Sequence, residues 1–149
     1  MTDVILQSTN FWNADLIDQD FMVVSNTPIE GVAFIKANLS NSNFEGVNMS
    51  PQILYSTVYE NKAKLKILSD KDLIENLFDE HELVHIVSTE VRGNDLVVSF
   101  VFFNSFAHAN LENTNFKNAD LRSVNFDLAD LTNADLSGAD LRMAYLGHA

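Results

Sequence analysis

From Phe106 onward an apolar residue returns at every fifth position: Phe106, Leu111, Phe116, Leu121, Phe126, Leu131, Leu136, Leu141 and Leu146. Two residues before nearly every one stands a smaller residue (Ala109, Thr114, Ala119, Val124, Ala129, Ala134, Ala139, Ala144), and between the two stands mostly Asn or Asp. The unit reads A-(D/N)-(L/F)-x-x. A period of five matches neither the 3.6-residue repeat of a helix nor the two-residue alternation of a strand. It suits a coil in which each five-residue unit makes one side of a square and four units close a turn. The large residue and the small one then both point inward, where alternating sizes fill a narrow interior. The Asn or Asp between them stands at a turn, where a short polar side chain can bond nearby backbone.

The N-terminal third carries the same unit with more variation. Thr9-Asn10-Phe11, Ala14-Asp15-Leu16 and Gln19-Asp20-Phe21 form one run, and a second has centres at Ile29, Phe34, Leu39, Phe44, Met49 and Leu54. Phe21 to Ile29 is a step of eight instead of five, so three extra residues are expected to bulge near Ser25-Asn26-Thr27-Pro28. The first run and the C-terminal run share one phase; the middle run is offset. Solenoids tolerate such insertions because each coil touches only its neighbours.

The pattern from Phe106 to Leu146 resembles the pentapeptide-repeat family. The resemblance implies a mainly β chain, a right-handed four-sided β-helix, with Phe34, Leu39, Phe44 and the nine C-terminal centres as its core. It also explains a bias in composition, eleven Phe against one Trp and three Tyr.

Between Tyr55 and Asn104 the period vanishes, and four of the six lysines fall here (Lys62, Lys64, Lys66, Lys71). Ser69-Asp70-Lys71-Asp72 reads as a helix start, with Ser69 as cap and acidic residues in the first turn; the helix is expected over about 70–81. The β-branched and aromatic stretches Leu83 to Val91 and Leu96 to Phe103, joined by Arg92-Gly93-Asn94-Asp95, read as a hairpin over about 83–103. Lys64 to Leu68 is a candidate further strand. The expected organisation is repeat coils over 1–54, an α+β insert over 55–103 and repeat coils over 104–149, within one structural domain. The pattern leaves open whether the two repeat blocks form one column or two.

His81-Glu82-Leu83-Val84-His85 satisfies H-E-x-x-H, which on a helix would set two histidines on one face to bind zinc, with Glu82 as general base. Three features argue against it. Asp79 and Glu80 precede it, the residues after it look like strand, and no third ligand follows. The expectation is therefore no metal, no cofactor and no catalytic residue, with His81 and His85 the only zinc candidates. His108 and His148 fall two residues after a centre and are expected at the surface. Glycine-rich calcium repeats are not present, with five Gly in the chain.

The net charge of −12 disfavours nonspecific contact with nucleic acid or anionic membranes and leaves room for a basic protein partner. The resemblance brings in a further class, acidic rods that mimic DNA and bind type II topoisomerases. Here the charge is spread thinly, and Arg122 and Arg142 fall beside Asp120 and Asp140. A last coil left uncovered would expose Met143, Tyr145 and Leu146, the expected docking end for self-association or a protein partner. With no Cys, no apolar run of about 20 residues and no signal-like start, a cytoplasmic, non-enzymatic protein-binding or scaffold module is expected.

Overall fold

The computed structural model describes residues 10–21, 29, 31–51, 53–78 and 83–149. The chain forms two compact units, one of residues 1–51 and 103–149, the other Gln52–Phe102.

The first unit is a β-helix solenoid built of single-residue parallel bridges. Ser105, Asn110, Asn115, Asp120 and Asn125 each pair with the residue 20 positions on, so four five-residue units separate stacked neighbours. Each bridging residue stands just before a centre, and the centre's amide donates to the carbonyl of the next coil, as in Leu111 N to Asp130 O at 2.8 Å. Three residues after each centre the chain closes a turn, for example Ala109 N to Phe106 O at 2.9 Å. The third residue of that turn is left-handed, as in a type II turn. Asn13, Asn41, Asn113, Asn118 and Asn133, with Gly46 and Gly138, occupy this position at positive φ. Asn and Gly carry the smallest penalty there. The Asn or Asp before each centre completes the corner: Asn110 accepts from Glu112 N (3.0 Å), Asn115 from Lys117 N (3.0 Å) and Asp135 from Ser137 N (3.0 Å).

The two repeat blocks form one column. Asn10, Asp15 and Asp20 pair with Ala33, Asn38 and Asn43. Each partner lies three positions beyond the four-unit spacing, so the three extra residues fall after Phe21. Their bulge lies outside the described residues. Ala33, Asn38, Asn43 and Asn48 then pair with Ser105, Asn110, Asn115 and Asp120, across the whole of the insert. Met49 N donates to Asp120 O at 2.8 Å, so the fourth unit of the second coil stacks directly on the third coil. The two interruptions together amount to a whole number of five-residue units. The phase of the first run therefore returns after the second of them.

Inside the column, first units carry Phe11, Phe34, Phe106 and Phe126, and third units carry Phe21, Phe44 and Phe116. The rings stack within each ladder at 4.3 to 5.2 Å (Phe21–Phe44, Phe106–Phe126) and meet edge-on between ladders, Phe34 to Phe44 at 5.8 Å. Second and fourth units carry Leu, Ile or Met. Leu111, Leu121, Phe106, Phe116 and Phe126 are fully buried, whereas Leu131, Leu136 and Leu141 are partly buried against the same core.

The second unit is an antiparallel sheet in the order β1-β3-β2, with β1 at Tyr55–Tyr59, β2 at Val84–Arg92 and β3 at Asp95–Phe102. β2 and β3 turn at Gly93-Asn94, with Arg92 paired to Asp95, and β2 carries a bulge between Ile86 and Ser88. Helix α1 spans Asp70–Leu77, and Ser69 Oγ accepts from Asp72 N at its start. Leu73 packs with Val84, Ile86, Leu96, Val98 and Phe100 on one sheet face. Lys64 to Leu68 is not a strand: Ala63–Ile67 is a 3-10 helix. Leu65 and Leu68, three apart, are its inward pair. That spacing suits a three-residue turn better than the alternation of a strand. The third strand comes instead from Tyr55–Tyr59.

Candidate functional site

Among the described residues no group of three or more His, Asp and Glu side chains is placed to hold a metal. His85 lies in β2, exposed, opposite Val101. The motif thus ends in a strand, not in the helix that zinc geometry requires; His81 and Glu82 lie outside the described residues. His108 and His148 stand at left-handed corners, exposed, and His148 Nδ1 lies 3.4 Å from Asp127. Met143, Tyr145 and Leu146 are all exposed, Met143 at a left-handed corner and Tyr145 bridged to Asn125. None of the described helices is long and apolar enough to cross a membrane.

Two features of the column stand out as built. The first is a ladder on the fourth units. Arg122 donates to Asp120 (2.7 and 2.8 Å) and lies 3.7 Å from Asp140, to which Arg142 in turn donates at 2.6 Å. Ser50 joins it, donating to Asp120 at 3.0 Å and accepting from Arg122 at 3.2 Å. The Arg122 guanidinium holds the Asp120 carboxyl below its usual range, and Arg142 lowers Asp140 to about 2. On the third units the Ser137 hydroxyl, with Lys117 at 3.1 Å, lowers Asp135 to about 2. The second units are different: Asp15, Asp18, Glu112 and Asp130 stand there with no Lys or Arg.

The second feature is Asn104, which sits two residues before Phe106, where most other units keep a small residue such as Ala or Val. It is 1% exposed. Its Nδ2 donates to the carbonyls of Ile29 and Met49 (2.7 Å to Met49), and its Oδ1 accepts from Val32 N at 2.9 Å. These backbone groups belong to the corner between fourth and first units, where the insert leaves the column, and buried backbone groups left unpaired are costly. Ser42 and Thr114 play a lesser version of the same part, donating to Leu16 O (2.9 Å) and Leu39 O (3.0 Å). Asn104 escapes a reading of the sequence because it looks like the end of the insert. Its distance of two from the first C-terminal centre is the signal that marks it as inward-facing.

The family model for pentapeptide repeats matches residues 30–50 and 105–149, with eight copies. The chain belongs to the pentapeptide-repeat family, whose members are generally non-enzymatic repeat scaffolds. Among solved structures the chain is similar to HetL, a pentapeptide repeat protein involved in heterocyst differentiation regulation from the cyanobacterium Nostoc sp. strain PCC 7120. The identity is 19% and the TM-score 0.34, over 93% of this chain and 47% of that one. The chain thus spans about half the length of that structure. No curated protein matches it.

Proposed function

We propose that the protein is a cytoplasmic, non-catalytic protein-binding module, a right-handed four-sided column of pentapeptide repeats that carries the insert as its recognition element. One observation supports this above the others: the column pairs without a break across the insertion, Asn48 to Asp120, while the inserted residues have a core of their own. A solenoid that closes across the inserted stretch does not need it for its own hydrogen bonding. Val58 and Val87 are exposed on the insert's sheet and Ile67 beside it. The test is photo-crosslinking in cells from residues 58 and 87 of the full chain, with residue 133 of the column as comparison. Crosslinks to another protein confined to the insert positions are expected; equal labelling from residue 133 would overturn the assignment.

A second reading, a DNA-mimic inhibitor of a type II topoisomerase, is favoured by the second units, which hold carboxylates and no Lys or Arg. The fourth units oppose it, since their carboxylates are neutralised by arginine. Inhibition of gyrase supercoiling by the pure protein at micromolar concentration would replace the first reading with this one.

A further inference from the structure

The cations of the two units are used differently. In the column three of the four, Lys117, Arg122 and Arg142, sit in ion pairs. In the insert Arg92 pairs with Glu90 at 3.2 Å, and Lys66 lies near enough to Glu90 to help lower its pKa; among the described residues none of Lys62, Lys64 and Lys66 is within ion-pair distance of a carboxylate. These three lie in or just before the 3-10 helix, and residues 61–69 contain no carboxylate. Beside them Ile67 is 90% exposed. A large aliphatic side chain almost wholly in water, flanked by lysines outside ion-pair distance of any described carboxylate, forms an edge suited to an anionic surface with an apolar centre.

The column carries the complement. Residues 10–21 hold Asp15, Asp18 and Asp20 and no Lys or Arg. Between Asp15 and Asp18, Ile17 is 38% exposed, and neither of these two carboxylates is in an ion pair among the described residues. Lys64, Lys66 and Ile67 thus have as counterparts Asp15, Asp18 and Ile17. Both patches are surface turns that their own units hold in place: Ala63 N donates to Asn94 O, and Asp18 N donates to Ser40 O.

We infer that the lysine edge of the insert docks on the first coil of a second copy of this chain, Ile67 against Ile17 and Lys64 and Lys66 against Asp15 and Asp18. This rests on the reading of the insert as a recognition element and names a partner for it. The two patches differ, so the contact is head-to-tail and propagates into longer assemblies or closes into a ring. At long range two chains of net charge −12 repel, and the contact acts only within a Debye length, about 10 Å at 0.1 M salt and about 3 Å at 1 M.

Sedimentation equilibrium of the full chain provides the test, with two double variants. Lys64→Glu/Lys66→Glu reverses the edge. Asp15→Asn/Asp18→Asn neutralises its counterpart with a residue native to both positions of the repeat, including the left-handed corner at Asp18. The parent is expected to gain mass with concentration at about 0.1 M salt and to revert to one chain at about 1 M. Each variant alone is expected to stay monomeric. An equal mixture is expected to form pairs and nothing larger, because each variant supplies the patch the other lacks. Three results would overturn the proposal: a parent monomeric throughout, variants that associate like the parent, or a mixture that stays monomeric. A monomeric parent that still crosslinks to a different protein from residues 58 and 87 would leave the binding-module reading standing and remove only self-docking. A monomeric parent whose lysine edge binds anionic phospholipid vesicles would assign the edge to a membrane instead.

Discussion

Column and insert solve the problem of a core in opposite ways. In the column a side chain packs against its own kind: Phe106 stacks between Phe34 at 5.0 Å and Phe126 at 5.2 Å, with the edges of Phe44 and Phe116 beside it. In the insert Phe100 meets a different neighbour on each side, Phe78 at 4.8 Å, Phe102 at 5.5 Å and Tyr55 at 5.7 Å. A repeated interior has one size of slot, so a single rule of composition specifies it many times over. A one-off interior needs several residues to agree once. The column can therefore absorb an insert at a corner, provided the corner's backbone groups are bonded, and where the insert leaves Asn104 supplies those bonds.

The contrast can be broken first at its centre. Phe106→Ala removes the middle rung of the first ladder from a fully buried site, and a loss of about 3–5 kcal/mol is expected in urea unfolding. A cost near 1 kcal/mol would mean that the coils close over the gap, and the repeated slot would not be as fixed in size as the stacked rings imply. Asn104→Leu tests the corner. It keeps volume but leaves the carbonyls of Ile29 and Met49 and the amide of Val32 unbonded, for a loss of about 2 kcal/mol or more. Faster hydrogen exchange at Val32 than at Leu121 should accompany it, and equal exchange would show that the corner does not depend on Asn104. The smallest effect concerns acid. Asp135 and Asp140 have folded values lowered from 3.8 to about 2, by Ser137 and Arg142 respectively. Their contribution is complete above the unfolded value and is lost as pH falls through about 2. Both side chains are partly exposed to solvent, which screens them, so the contribution is modest. The variant Asp135→Asn/Asp140→Asn should show a flatter decline of Tm over this window than the parent, and an unchanged slope would exclude these two groups as its source.

The column was legible in the sequence because its rule is local. A centre every fifth residue and a small residue two before it identify inward positions without knowledge of any partner. The corner rule was half legible: Asn and Asp before each centre signalled a turn, but the left-handed residue two after each centre, Asn or Gly in seven units, carried an equal signal. Continuity across the insert was not legible, because Asn48 and Asp120 carry no mark of pairing beyond membership of the repeat. In the insert, Ser69 and the Gly93-Asn94 turn could be read from short-range chemistry. The 3-10 helix could not, since Lys64 to Leu68 alternates like a strand and only the packing of Leu65 with Leu68 decides otherwise. The lysine edge was visible as composition, but not the exposure of Ile67 at its centre.

The pairings that span the insert also impose an order of events on folding. From Met49 to Phe106 the chain must traverse the whole insert before the second coil can meet the third, whereas only four five-residue units separate the third coil from the fourth. Contacts close in sequence form sooner, so the C-terminal coils are the natural nucleus. The hairpin-linked sheet then shortens the remaining step. Tyr55, shortly after Met49, pairs with Phe100, shortly before Phe106, and so bypasses most of the open loop. What remains to be closed is about a dozen residues, and by the logarithmic dependence of closure entropy on length the cost of joining the halves falls by about 1.4 kcal/mol. Folding of the insert thus removes part of the delay that its own length imposes on joining the two repeat blocks.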